Sequence, residues 1–150
     1  MSKQKTTVIG LFLLALTINL HAQQVVSKEK FHTNEQMEND IGYTQAVKVG
    51  NTLYISGAVG WGTMHEAIKI VYDELRTTLK HYNADFSNVV KENLYSPVLD
   101  SLIAHKELRK PYYNNDYPAA TWVEVKRLYN ADLVLEVEVI AVLPKLKKHK

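Results

Sequence analysis

Apolar residues recur every second position near the end of the chain and every third or fourth position in its middle. Between 133 and 143, Leu133, Leu135, Val137, Val139, Ala141 and Leu143 fall on one side of an extended strand. That side is wholly apolar and calls for a covering layer of helices. The opposite side carries Val134, Glu136, Glu138, Ile140 and Val142. A monomer can leave such a mixed face wet at its edge, whereas a symmetric oligomer can enclose it and leave pockets at subunit joints. In mid-chain, Ile68, Val71, Leu75, Leu79 and Tyr82 form one helical stripe, with Asp73, Glu74, Arg76 and Lys80 largely off it. Thr63 can cap this helix, Glu66 sits in its first turn, and Asn83 ends it.

The remaining segments fit around these two. Gln45–Val49 and Leu53–Ser56 read as a strand pair joined by Gly50 and Asn51. Gly57, Gly60 and Gly62 break the second strand, in a spacing that is no phosphate-binding fingerprint. A strand over Val89–Tyr95 is stopped by Pro97. A second helix starts at Asp100 or Ser101, runs through Leu102, His105 and Leu108 or Arg109, and is ended by Pro111. Thr121–Leu128 supplies the penultimate strand. Residues 23–41 are polar and predict an extended lead-in, with a loop at Asn34–Asp40. The order β-β-α-β-α-β-β contains no repeat or linker and predicts one α+β domain with helices on one face of a sheet.

The first 22 residues change the charge picture. Lys3 and Lys5, the apolar run Val8–Leu20 and Ala22 have the build of a cleavable signal peptide, predicting export to the periplasm or medium with no stable membrane span afterwards. The domain is then residues 23–150. The chain has 18 Lys and Arg against 16 Asp and Glu. Without the two leader lysines the charges balance, and Lys145, Lys147, Lys148 and Lys150 crowd a basic tail behind an acidic body. Such a body is poorly suited to nucleic acid. There is no cysteine, which excludes disulfides and thiolate chemistry but not export.

Candidate chemistry is sparse. Glu136 and Glu138 share a strand face, so one can sit in a pocket and move a proton; the alternative is a solvated strand face. Tyr43 beside Gly42, and Ser56-Gly57 at a strand end, can orient a polar ligand, though strand-end polar groups also satisfy backbone. No histidine pair has metal-ligand spacing, and neither a nucleophile elbow nor a dinucleotide motif is present, so no metal and no cofactor is expected.

Four pieces in order carry a resemblance: IGYTQAVKVGNTLYISG at 41–57, VVKENLYSPVLD at 89–100, YPAATWVEVKRL at 117–128 and LVLEVEVIAV at 133–142. Over about residues 41–143 the chain resembles the reactive-intermediate (enamine/imine) deaminases, the Rid/YjgF-like family. The resemblance implies a chorismate-mutase-like subunit, a homotrimer, and small-molecule sites in clefts between subunits. It implies hydrolysis of enamines or imines to 2-keto acids and ammonia. By resemblance, Glu136 is the catalytic glutamate, and Tyr43, Ser56 and Gly57 bind substrate. The family's carboxylate-binding arginine lies in a P-A-R-[ST] segment, which here reads Pro118-Ala119-Ala120-Thr121, so Ala120 stands in the arginine's place. A guanidinium offers two parallel bonds to a carboxylate and alanine offers none. The expected function is therefore imine hydrolysis with altered substrate preference. The alternative is a non-catalytic trimer that binds a small metabolite.

Overall fold

A computed structural model of the chain describes residues 26–144. The leader and the four tail lysines lie outside the described residues. Strands β1 (Glu29–Phe31), β2 (Ala46–Val49), β3 (Thr52–Trp61), β4 (Val89–Ser96), β5 (Ala119–Glu124) and β6 (Leu133–Val142) make one sheet in the order β1-β2-β3-β6-β4-β5. Every pairing is antiparallel except β4 with β5, which is parallel. The helices are α1 (Glu35–Ile41), α2 (Met64–His81), α3 (Leu99–Ala104) and α4 (Lys110–Tyr113).

The core lies between α2 and the sheet. Ile68, Val71, Leu75 and Leu79 of α2 are buried on Leu53, Ile55 and Ala58 of β3 and on Leu135, Val137, Val139 and Ala141 of β6. Burying each large aliphatic side chain contributes about 1.5–3 kcal/mol before chain entropy is counted. Leu102 of α3 and Tyr113 of α4 join the same core. The start of α2 is fixed by Thr63, whose hydroxyl accepts from Glu66 N while Thr63 N donates to Glu66 at 2.9 Å. Strand β3 and helix α2 approach closely at Gly60, where a Cβ would lie 2.6 Å from the Ala67 carbonyl oxygen. Any larger residue there would force the helix off the sheet.

One buried charge ties the layers together. Glu92, on the helix side of β4, accepts from Tyr72 Oη of α2, from Tyr113 Oη of α4 at 2.8 Å and from Arg109 Nη2 at 2.5 Å. The Arg109 guanidinium also lies 5.3 Å from the Trp122 ring of β5. Four elements thus converge on one satisfied carboxylate, the condition under which a buried ion pair is tolerated.

Several expectations change. The stretch Asn34–Asp40, expected as loop, is largely helix α1. Asn34 Oδ1 caps it by accepting from Met37 N at 3.1 Å, and Gly42, at φ 91°, closes it with a bond to the Glu38 carbonyl. The extended lead-in contains a sixth strand, because Glu29–Phe31 pairs with β2. Pro111 does not end the second helix. It sits in the first turn of α4, where proline's missing N–H has no helical partner to lose. The chain therefore runs β1-α1-β2-β3-α2-β4-α3-α4-β5-β6 in place of the expected β-β-α-β-α-β-β order. The penultimate strand runs Ala119–Glu124 and does not reach Leu128.

Candidate functional site

The site begins with a break in register. Ile55 pairs with Val139 and Ala58 with Val137, so Ser56 and Gly57 together oppose the single residue Glu138. This is a β-bulge, which bends the strand and re-aims its side chains. Gly57 makes room for Glu136: a Cβ at Gly57 would meet Oε1 and lie 2.7 Å from Cγ. Ser56 Oγ donates to the Thr44 carbonyl at 2.7 Å, and Ser56 N donates to the Gln45 carbonyl at 2.9 Å. The hydroxyl therefore ties the bulge to the segment that carries Tyr43.

These residues line a groove of about 560 Å³. Its polar part is Tyr43, Ser56, Gly57, Asn130, Glu136 and Glu138; its apolar part is Met37, Ile41, Val59, Tyr129 and Leu133. Tyr43, Ser56, Gly57 and Glu136, the residues singled out in sequence, are brought together. Ala120 is not. Its backbone is in register with Glu92, whose carboxylate faces the helices, so Ala120 belongs to that side of the sheet, not the side bearing Glu136. Lys126 and Arg127 line a neighbouring cavity of about 540 Å³ that shares only Leu133 with the groove.

The two glutamates differ in their surroundings. Glu138 accepts from Asn93 Nδ2 at 2.7 Å and from Tyr95 Oη at 3.0 Å. Glu136, half-buried, makes no side-chain hydrogen bond among the described residues. Burial, and then the neighbouring Glu138 charge, raise its carboxyl above the ordinary carboxylate value. A carboxyl with a raised proton affinity and no protein partner, at the floor of an open groove, can take a proton from water and return it to a substrate.

Sequence reasoning missed the far wall. Met37 and Ile41 are four apart, a helical spacing that shows only once Asn34 is recognised as a cap. Helix α1 is anchored by Glu38, which is buried and accepts from His32 Nδ1 at 2.6 Å, Thr33 N at 2.7 Å, Gln45 N at 2.9 Å and Asn34 N at 3.0 Å. Burial raises the Glu38 carboxyl, but these donors outweigh it and hold the group below its ordinary value. Among the described residues no group of three or more His, Asp or Glu could hold a metal ion, and no helix is long and apolar enough to cross a membrane.

Known proteins resemble this chain in sequence and in fold. The pattern of the Ribonuc_L-PSP family, described as Endoribonuclease L-PSP, matches residues 19–143. A RutC family protein of Pyrococcus abyssi is 31% identical across 77% of this chain and 98% of its own. The 2-iminobutanoate/2-iminopropanoate deaminase of Mus musculus is 34% identical across 67% of this chain and 80% of its own. A Mycobacterium tuberculosis member of the YjgF/YER057c/UK114 family has the same fold, with a TM-score of 0.72 at 21% identity over 78% of this chain and all of that one. The bulge, the groove and the strand that carries Glu136 thus belong to a member of the Rid/YjgF-like (Ribonuc_L-PSP) family, related to the reactive-imine deaminases.

Proposed function

We propose that the protein hydrolyses reactive imines and their enamine tautomers, with Glu136 as the proton-handling group. The observation that carries this is Glu136 itself, half-buried, unpartnered among the described residues and seated on Gly57 at the floor of the groove. The 2-iminobutanoate/2-iminopropanoate deaminases among its relatives support the reaction class. In the step, the Glu136 carboxylate takes a proton from water as the water oxygen bonds to the imine carbon. The proton then passes to nitrogen, giving a carbinolamine; Glu136 next carries the hydroxyl proton to the same nitrogen as the C–N bond breaks, and ammonia leaves a carbonyl behind. No electrons change hands. Tyr43 and Asn130 lie where they can orient the substrate, and Ser56 positions the bulge.

The same reading includes a chorismate-mutase-like subunit in a homotrimer. Its support is the sheet face opposite α2, where Tyr54, Val123 and Val142 are exposed on the side that carries the half-buried Glu136 and Glu138. It also includes export, supported by the leader pattern of residues 1–22. Ammonia release from freshly generated imines, measured against their spontaneous hydrolysis, tests the function. Acceleration by the purified protein is the expected result. The position of Ala120 favours one second reading, a metabolite-binding trimer without turnover. Saturable binding without any acceleration would select it.

A further inference from the structure

Glu138 takes no part in the hydrolytic step, yet it is the better held of the two carboxylates. Asn93 Nδ2 at 2.7 Å and Tyr95 Oη at 3.0 Å both donate to one of its oxygens, Oε1. A carboxylate that accepts two such bonds is favoured in its ionised form. Both donors stand on β4 of the same subunit, and Tyr95 is also the register partner of Glu136. The Glu138 charge is therefore set by contacts within one subunit, before a second closes over the groove. Lys91, which borders Glu138 on this face, directs its ammonium to Thr121 Oγ1 at 2.6 Å.

Glu136 lies two residues away on the same strand face, at a backbone spacing of roughly 6.5–7 Å. Two like charges still act on each other over that distance where water is partly excluded. Within one subunit, the remaining titratable groups around Glu136 are the phenols of Tyr43, Tyr95 and Tyr129. Strand β3 and helix α1 bring none to the groove. Burial is the larger cause of the raised Glu136 carboxyl, and the Glu138 charge is the second.

We infer that Glu138 is a positioning residue for the proton transfer, a fixed negative charge pinned by Asn93 and Tyr95 that acts through Glu136 and sets the pH at which hydrolysis switches on. This rests on the imine-hydrolase reading above. The two carboxylates form an asymmetric couple: the pinned member stays ionised and the free member exchanges the proton. The neighbouring charge makes Glu136 a stronger base toward water and lets it hold the proton for delivery to nitrogen.

Glu138→Gln tests this, because it keeps the volume and an acceptor for Asn93 and Tyr95 but removes the charge. The inflection in the pH profile of accelerated ammonia release should fall by about one pH unit. It should remain above the ordinary carboxylate value, since burial persists. Glu138→Asp, which keeps the charge, should hold the inflection near that of the wild type. Added salt should lower the wild-type inflection and leave that of Glu138→Gln nearly in place. The wild-type salt dependence decides alone if the variant does not fold. NMR titration of the Glu136 carboxyl carbon reads the same shift with no substrate present. An inflection unmoved in Glu138→Gln, as when a partner subunit's cation neutralises Glu138, overturns the inference and leaves imine hydrolysis standing. Absence of acceleration in every protein overturns both, even where the NMR titration shows the two carboxylates coupled.

Discussion

Glu136 and Glu138 are two residues apart on one strand, yet only one is free to work. Glu138 is held by Asn93 and Tyr95, whereas Glu136 occupies the space that Gly57 leaves. Gly57→Ala should therefore displace the Glu136 carboxylate and cut hydrolysis by about 100-fold, the scale of losing a general acid–base group. A melting curve close to wild type would separate that loss from unfolding. A second consequence is a stability cost. Because burial raises the Glu136 carboxyl, the folded state favours its protonated form, and the ionised form costs stability as pH rises through the folded-state value. Glu136→Gln should thus stabilise the protein at neutral pH, by under about 1 kcal/mol once solvent screening is included. The gain should vanish below the ordinary carboxylate value, which thermal melts at several pH values would read. The strand periodicity made Glu136 visible in sequence. The partners of Glu138 were not visible, because Asn93 and Tyr95 sit more than forty residues away and become neighbours only when β4 pairs with β6.

Helix α1 owes its existence to capping and one buried carboxylate, not to an apolar stripe. Asn34 opens it, Gly42 closes it, and Glu38 is its only buried residue. A search for hydrophobic periodicity passes over such a segment, whereas α2 declares itself through Ile68, Val71, Leu75 and Leu79. Removing the anchor in Glu38→Ala leaves the buried Gln45 amide without its acceptor and should cost about 2–3 kcal/mol. The depressed Glu38 carboxyl sets the pH dependence of this element. Its contribution is present above the ordinary carboxylate value and is lost as pH falls through the lower folded-state value. Hydrogen exchange over residues 33–45, in wild type and in Glu38→Ala, would show the segment losing protection ahead of α2. Equal protection in both proteins would deny Glu38 this role.

For the whole molecule, the alternation in β6 announced a sheet with one dry face and one mixed face, and both are found. The central order of strands and α2 followed from local pattern. The Glu92 cluster, the bulge and the groove did not, because each depends on residues that approach only through tertiary packing. The mixed face bears on assembly. Leaving apolar side chains such as Tyr54, Val123 and Val142 in water costs about 25 cal/mol per Å² relative to burial. Light scattering on residues 23–150 should give about three subunit masses, as expected for a closed cyclic trimer. A stable monomer at micromolar concentration would remove the subunit cleft from the proposal. Intact mass of exported protein should show residues 1–22 removed, and recovery of a full-length, membrane-embedded chain would refute the reading of the leader.

The central claim is that Glu136 moves the proton in imine hydrolysis. Its most direct test is the pH dependence of ammonia release from a freshly generated imine, with wild type and Glu136→Gln compared above the spontaneous rate. The wild-type acceleration should climb through an inflection above the ordinary carboxylate value, as the raised Glu136 carboxyl ionises. The variant should lose that inflection and about 100-fold or more of the acceleration. If Glu136→Gln, with its oligomeric mass intact, accelerates hydrolysis as well as wild type and with the same inflection, Glu136 is not the group that carries the proton.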